Sequence, residues 1–74
     1  MRSYSIILMP EEPGGFFVSV PALPGCYTQG QTIEECRERA TEAVRVHIEG
    51  LEAEGQAVPE EVGTPRLLRV TVTA

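Results

Sequence analysis

Four residue types are absent from the 74-residue sequence: lysine, aspartate, asparagine and tryptophan. Without lysine the chain cannot form Schiff bases, and without aspartate it lacks the short carboxylates on which many metal sites depend. All eleven acidic residues are therefore glutamates and all six basic residues are arginines, which gives a formal net charge of −5. An acidic surface repels phosphate backbones, so this balance disfavours unaided nucleic-acid binding and favours a basic partner.

Histidine, cysteine and long apolar runs are also scarce. Cys26 and Cys36 are too few for a disulfide framework and their spacing fits no metal motif, so we expect small apolar residues there. His47 has no orienting partner or nucleophile apparent in the sequence, which favours a core or edge position over catalysis. No apolar run approaches the roughly 20 residues of a membrane span. The sequence therefore predicts a soluble cytoplasmic protein with no metal and no cofactor.

Local patterns predict one small domain over residues 1–74 with the element order βββαβ. Apolar and alternating runs between turn-forming residues give four short strands, at residues 3–9, 16–20, 27–29 and 67–73. After the third strand, Thr32 and Glu35 match a capping box, which opens an amphipathic helix that ends near Gly55. In such a box the Thr32 hydroxyl accepts from the amide of Glu35, and the Glu35 carboxylate returns to the amide of Thr32.

Turn and boundary residues connect the second strand to the helix. Pro21 ends the strand because it offers no N–H group to the ladder. In the next few residues Pro24 presets φ and Gly25 accepts a positive φ, which is typical of a type II turn. The predicted structural motif comprises Pro21, Leu23, Pro24, Gly25, Cys26, Gly30, Thr32 and Glu35.

The predicted fold is α+β, a four-stranded mixed sheet with one helix packed on one face. Two successive hairpins make the third strand parallel to the first, and a right-handed crossover places the fourth strand beside the first. One helix leaves the other face of the sheet under-covered. Ile7, Met9 and Phe17 lie on that face, and we predict that it mediates self-association.

The same strand order opens the ribonuclease H fold, whose nucleases hold two metal ions with carboxylates on the strands and the helix. In this sequence residues 6–8 of the first strand are all aliphatic, and residues 70–72 of the last strand are valine, threonine and valine. The catalytic acids of such a nuclease are therefore missing. We predict that the protein is not an enzyme.

Residues 15–35 carry a resemblance to a known family. They join a V-x-x-L-P-G-C turn to a T-x-G-x-T-x-x-E helix start, a pattern that resembles the HicB family of type II antitoxins. The resemblance implies a degraded ribonuclease H-like fold without nuclease activity. It also implies a small, basic, RNA-cleaving partner, a HicA-type toxin whose RNA-binding and catalytic surface the antitoxin covers, and a dimer or tetramer of the antitoxin itself.

The resemblance also sets expectations for binding. Candidate toxin contacts are Glu11 and Glu12 at the hairpin tip, Tyr27, Glu34 and Glu38. Many members of the family carry a C-terminal DNA-binding module, and because this sequence stops directly after the final strand we expect a short form without direct operator binding. Two alternatives stay open: the acidic helix surface is an ordinary solvated face, and the protein is an orphan oligomeric scaffold without a toxin.

Overall fold

The computed structural model describes residues 2–73 and contains three strands and one helix. The elements are β1 (Ile7–Pro10), β2 (Phe16–Ser19), β3 (Tyr27–Gly30) and α1 (Ile33–Ala53). The strands form an antiparallel sheet in the order β1-β2-β3, and α1 packs mainly on β3 and to a lesser extent on β2. The α+β class is thus confirmed, with three strands in place of the predicted four.

The first hairpin follows from the clustering of turn-forming residues between two apolar runs. Leu8 pairs with Val18 and Met9 with Phe17, and the hairpin tip is closed by the N–H of Glu11, which donates to the carbonyl of Gly15 at 3.0 Å. Because side chains alternate along a strand, Leu8 and Val18 face α1 while Met9 and Phe17 face the opposite side.

The turn between β2 and β3 has the geometry predicted from the sequence. The N–H of Cys26 donates to the carbonyl of Leu23 at 3.0 Å, and Gly25 has a φ of 88°. A four-residue turn with a positive φ at its third position is a type II turn. The turn places Leu23 and Cys26 in the core, where both are buried.

We expect Gly25→Ala to destabilise the fold by more than about 1 kcal/mol, because a side chain at this positive φ is strained. Space is not the reason: a Cβ on Gly25 would lie 3.9 Å from the nearest side-chain atom, Cε1 of His47. Urea unfolding followed by circular dichroism measures the change. Gly14→Ala is the matched control, since a Cβ there meets nothing within 4 Å. Equal midpoints for the two variants would contradict the type II assignment.

Helix α1 begins at a side-chain cap and ends at a glycine. The hydroxyl of Thr32 accepts from the N–H of Glu35 at 3.1 Å, as predicted. The carboxylate of Glu35, however, accepts from the N–H of Gln31 at 2.6 Å, one residue before the predicted donor. The helix ends at Ala53, and Gly55 follows with a φ of 71°, which agrees with the predicted end near Gly55.

The core consists of two small clusters on the helix side of the sheet. Val18, Cys36 and Ala40 form the first, and Val20, Leu23 and Cys26 form the second. Ile6 packs against both clusters and joins them. Both cysteines are free thiols in this core, and burial raises the pKa of the Cys26 thiol.

The predicted fourth strand is the main correction to the predicted fold. Residues 67–73 make no ladder with any strand of the part of the chain that the structure describes. Their large apolar side chains, at Leu67, Leu68, Val70 and Val72, are between 79% and 93% exposed. The alternating pattern is that of a strand, but a strand also needs a neighbour for its N–H and C=O groups, and within one chain this segment has none.

The loop after the helix is held to the chain just before β1. The hydroxyl of Tyr4 donates to the carbonyl of Pro59 at 2.5 Å, and the carboxylate of Glu61 accepts from both the N–H and the hydroxyl of Ser5, at 2.6 and 2.7 Å. These two hydrogen bonds from Ser5 lower the pKa of the Glu61 carboxyl.

A lowered pKa of Glu61 in the folded state makes the Ser5–Glu61 contact dependent on pH. Its contribution to stability is fully present above the ordinary pKa of a glutamate and is lost as the pH falls through the lowered folded value. We therefore expect Glu61→Gln to be less stable than the parent protein at pH 7, with the difference shrinking towards pH 3. Urea midpoints measured across this range test the prediction. Glu60→Gln is the control, and a pH-independent difference for Glu61→Gln would contradict it.

Candidate protein-interaction surface

The face of the sheet opposite α1 carries four large apolar side chains. Ile7, Met9, Phe17 and Tyr27 are between 36% and 58% exposed, and we call them the open sheet face. Met9 lies directly across from Phe17, while Ile7 and Tyr27 both lie across from Ser19. The rings of Phe17 and Tyr27 are in contact, with centroids 5.4 Å apart and planes inclined by 31°. Because clustered exposed apolar side chains are a feature of interaction surfaces, this face is a candidate for one.

The structure brings together residues that the sequence analysis had assigned to different roles. Ile7, Met9 and Phe17 were predicted to mediate self-association, and Tyr27 was predicted to contact a partner. The cross-strand register places Tyr27 next to Phe17 and therefore on the same patch. The register is a property of strand pairing, so the order of residues along the chain did not reveal this contact.

The other four predicted partner contacts lie at one end of the molecule, which we call the acidic end: Glu11, Glu12, Glu34 and Glu38. Since β1 and β3 run in the same direction, the end of β1, the end of β3 and the start of α1 are neighbours. Glu11 and Glu35 line the same shallow depression there, together with Gln29 and Arg39. All four glutamates of the acidic end are exposed.

Among the described residues, no arginine forms an ion pair with any of the four glutamates of the acidic end. Arg39 lies 3.7 Å from the carboxylate of Glu35, an exposed pair whose partners are four residues apart on the helix. Exposed pairs of this kind contribute little, typically about 0.3–0.5 kcal/mol on a helix. Glutamates in the first turn also complement the positive end of the helix dipole, which stabilises α1 whether or not a partner binds.

The other candidates for chemistry named from the sequence are His47 and the two free cysteines. His47 is half-buried beside the turn at Gly25 and lines a shallow depression with Cys26 and Glu42. Within residues 2–73, no three histidine, cysteine or glutamate side chains are grouped so that they could hold a metal ion. Within the same residues, no helix combines the length and the apolar character that crossing a bilayer requires.

Sequence reasoning missed one exposed feature and misplaced another. Residues 67–73 were predicted to form a strand beside the first strand, and their large apolar side chains are instead exposed. Ile33, which the sequence analysis did not single out, is 55% exposed, because it precedes the first buried residue of α1, Cys36. The alternating pattern of residues 67–73 was the signal from which their exposure could have been anticipated. Alternation indicates that the segment has an apolar face, but it does not indicate what covers that face.

The fold and this surface define a small α+β domain with an exposed apolar sheet face and an acidic end. Residues 4–68 match the HicB_like antitoxin of bacterial toxin–antitoxin systems. The chain belongs to this family.

Individual relatives agree with the family assignment. The chain is 41% identical over 58 residues to a UPF0150 protein of Thermoplasma acidophilum, a match that covers 78% of this chain and 84% of that one. It is 44% identical over 59 residues to a UPF0150 protein of Synechocystis, covering 80% and 75% of the two chains. It is also 39% identical over 56 residues to Antitoxin HicB 1 of Photorhabdus laumondii, covering 76% of this chain and 36% of that antitoxin.

Proposed function

We propose that this protein is an antitoxin that neutralises a small, basic, HicA-type toxin by covering its RNA-binding and catalytic surface. The observation that carries the proposal is membership of the antitoxin family over residues 4–68. The relative named Antitoxin HicB 1 supports it. In this proposal the protein acts by binding and not by catalysis, and the encounter takes place in the cytoplasm, where the RNA substrates of such a toxin are found.

The charge of the protein suits such a partner. A protein that binds RNA presents a positive surface to the phosphate backbone, and this chain carries a formal net charge of −5. Complementary potentials speed the encounter of two proteins and fix their relative orientation. Because the acidic end gathers Glu11, Glu12, Glu34 and Glu38 without a surplus of arginines, we place the toxin contact there. The same net charge disfavours direct binding of operator DNA.

The open sheet face is assigned to contacts between copies of the protein. An exposed patch with two aromatic rings is costly to leave in water, and association of two such faces removes apolar area from solvent. Ile7, Met9 and Phe17 keep the predicted role, and Tyr27 joins them because its ring packs on Phe17. The architecture that we propose for the assembled protein is a degraded ribonuclease H-like fold.

Co-expression tests the function. The protein is produced with an affinity tag together with a small basic protein encoded beside it, and the purified complex is assayed for RNA cleavage. We expect a stable complex in which cleavage is suppressed, and cleavage that returns once the toxin is separated by denaturation and refolded alone. A basic neighbour that does not co-purify, or a complex that cleaves RNA as fast as the free toxin, would refute the proposal.

A second candidate is an orphan oligomeric scaffold, favoured by the exposed apolar area of the open sheet face. The two candidates differ in what a neighbouring gene encodes and in what the acidic end contacts. For a scaffold, no basic ribonuclease binds, and Phe17→Glu lowers the mass of the assembly in solution without affecting any RNA-cleaving protein. For an antitoxin, the complex with the basic protein survives Phe17→Glu.

A further inference from the structure

Residues 66–73 have the sequence pattern of a strand but pair with no strand among the described residues. Leu68, Val70 and Val72 alternate with Arg69, Thr71 and Thr73, so an extended backbone places the three apolar side chains on one face. Burying a side chain of this kind contributes about 1.5–3 kcal/mol. In the single chain these three side chains are largely exposed, so they do not contribute this stabilisation.

β1 is an edge strand of the sheet, so only one of its two sides is paired with another strand. The N–H of Glu11 points to β2, and backbone directions alternate along an antiparallel ladder, so the N–H groups of Ile7 and Met9 also point to β2. The backbone groups of Ile6 and Leu8 therefore point to the open edge. Pro10, which has no N–H, falls on the same side and limits how far a pairing strand extends.

A partly apolar groove lies beside this edge on the helix side of the sheet. Its apolar lining comes from Tyr4, Ile6, Ala40 and Val44, and its polar lining from Arg2, Arg37 and Thr41; it is open to solvent. The groove exists because α1 packs chiefly on β3. A strand paired to β1 would direct every second side chain over this groove, and three such side chains are those of Leu68, Val70 and Val72.

The segment starts beside its own edge, because Pro65, Arg66 and Leu67 line a depression with residues 5–7, but residues 68–73 form no ladder with that edge. The connection to the segment favours a second copy as the partner of these later residues. Glu61 is anchored by Ser5, so only residues 62–65 link this anchor to the segment. Gly63 has a φ of 75° and Pro65 has a fixed φ, which makes the link short and directional. Short hinges of this kind favour the exchange of elements between copies over folding back.

The dimensions of the chain agree with a segment that leaves its own domain. The longest axis is 46 Å against 26 and 21 Å for the others, and the radius of gyration is 14.2 Å. A compact chain of this length has a radius of gyration of about 11 Å. Eight extended residues reach roughly 26 Å, which is enough to lie along the edge strand of a neighbour.

We propose that residues 66–73 of one copy form a fourth strand on β1 of a second copy, parallel to it, and that the exchange is reciprocal. Two-fold symmetry lets each copy donate one segment and receive one, so both open edges and both grooves are filled at once. The inference concerns contacts between copies and does not depend on toxin binding. It also accounts for a strand pattern that no strand within the chain satisfies.

Paired variants on the two faces of the segment test this proposal. Val70→Arg places a positive charge over the groove, which is lined by Arg2 and Arg37, and Thr71→Arg places the same charge on the other face. We expect Val70→Arg to halve the mass of the assembly measured by light scattering, and Thr71→Arg to retain the parent mass. Both variants should keep a folded α1 by circular dichroism, because both positions are exposed in the single chain. An unchanged mass for Val70→Arg would overturn the proposal.

A second measurement identifies which copy receives the strand. Isotope-labelled and unlabelled protein are mixed after unfolding and refolding together, and contacts between labelled and unlabelled copies are selected by filtered nuclear Overhauser spectroscopy. Exchange predicts contacts between the methyl groups of Val70 in one copy and those of Ile6 or Leu8 in the other. If these contacts occur only within one copy, the segment folds back on its own edge and the proposal is wrong.

Discussion

Leu23→Ala is expected to leave most of the protein unfolded at 37 °C. The Leu23 side chain is fully buried and lies in the cluster with Val20 and Cys26, where residues of α1 including Val44 and Ile48 also pack. Truncating such a leucine removes its transfer free energy and leaves a cavity, at a cost of about 2–5 kcal/mol. A single core in a domain below roughly 70–80 residues supplies about 3–5 kcal/mol, so the loss is comparable with the whole stability.

Urea unfolding by circular dichroism, at equal protein concentration for all variants, measures this effect. Equal concentration matters because association between copies stabilises the folded state by mass action. Val62→Ala is the control: it deletes apolar atoms from a side chain that is 97% exposed, so its midpoint should match that of the parent protein. A Leu23→Ala midpoint close to that of Val62→Ala would mean that the second core cluster does not hold the fold together.

The motif from Pro21 to Glu35 serves the fold at each position for which the structure gives contacts. Gly30 shows this most clearly, because a Cβ on it would lie 2.9 Å from Sγ and 3.1 Å from the backbone nitrogen of Cys36. Only a glycine lets the end of β3 approach the helix so closely. The motif therefore serves the architecture, while the exposed apolar side chains lie on the open sheet face and the exposed glutamates at the acidic end.

Local signals in the sequence were sufficient for the elements whose partners are near in the chain. The hairpin, the type II turn and the helix limits depend on turn-forming residues, Gly25 and the Thr32 cap, and each stabilises its own neighbourhood. The same signals were not sufficient for residues 67–73. Alternation there describes the segment's own faces, whereas strand formation depends on pairing with an edge, and the segment pairs with none among the described residues.

The candidate surface shows the same division between local and non-local information. Exposure of Ile7, Met9 and Phe17 could be predicted from strand periodicity and the presence of only one helix. Contact between Phe17 and Tyr27 depends on the register between β2 and β3, which the sequence did not specify. The glutamates of the acidic end lie at the same end of the molecule because β1 and β3 run in the same direction, which is a property of the topology.

Removing the charge of the acidic end is expected to weaken binding of the proposed basic toxin by about 100-fold at low salt. The variant replaces Glu11, Glu12, Glu34 and Glu38 by glutamine. If each carboxylate contributes about 0.7 kcal/mol, within the range of exposed ion pairs, four together give nearly 3 kcal/mol, or two powers of ten in Kd. Surface charges act mainly through the association rate, so that rate should fall most. Surface plasmon resonance at two salt concentrations measures both quantities.

The matched control removes the same number of charges from elsewhere, by glutamine replacements at Glu49, Glu52, Glu54 and Glu60, all of which are exposed. Because the net charge of the two variants is identical, a difference between them reports where the charge lies. We expect the control to bind within about threefold of the parent protein at physiological salt, where charges more than roughly 8 Å from the contact are screened. Equal weakening by both variants would show that net charge alone attracts the toxin. Unchanged binding by the first variant would place the contact away from the acidic end, with the open sheet face as the next surface to test.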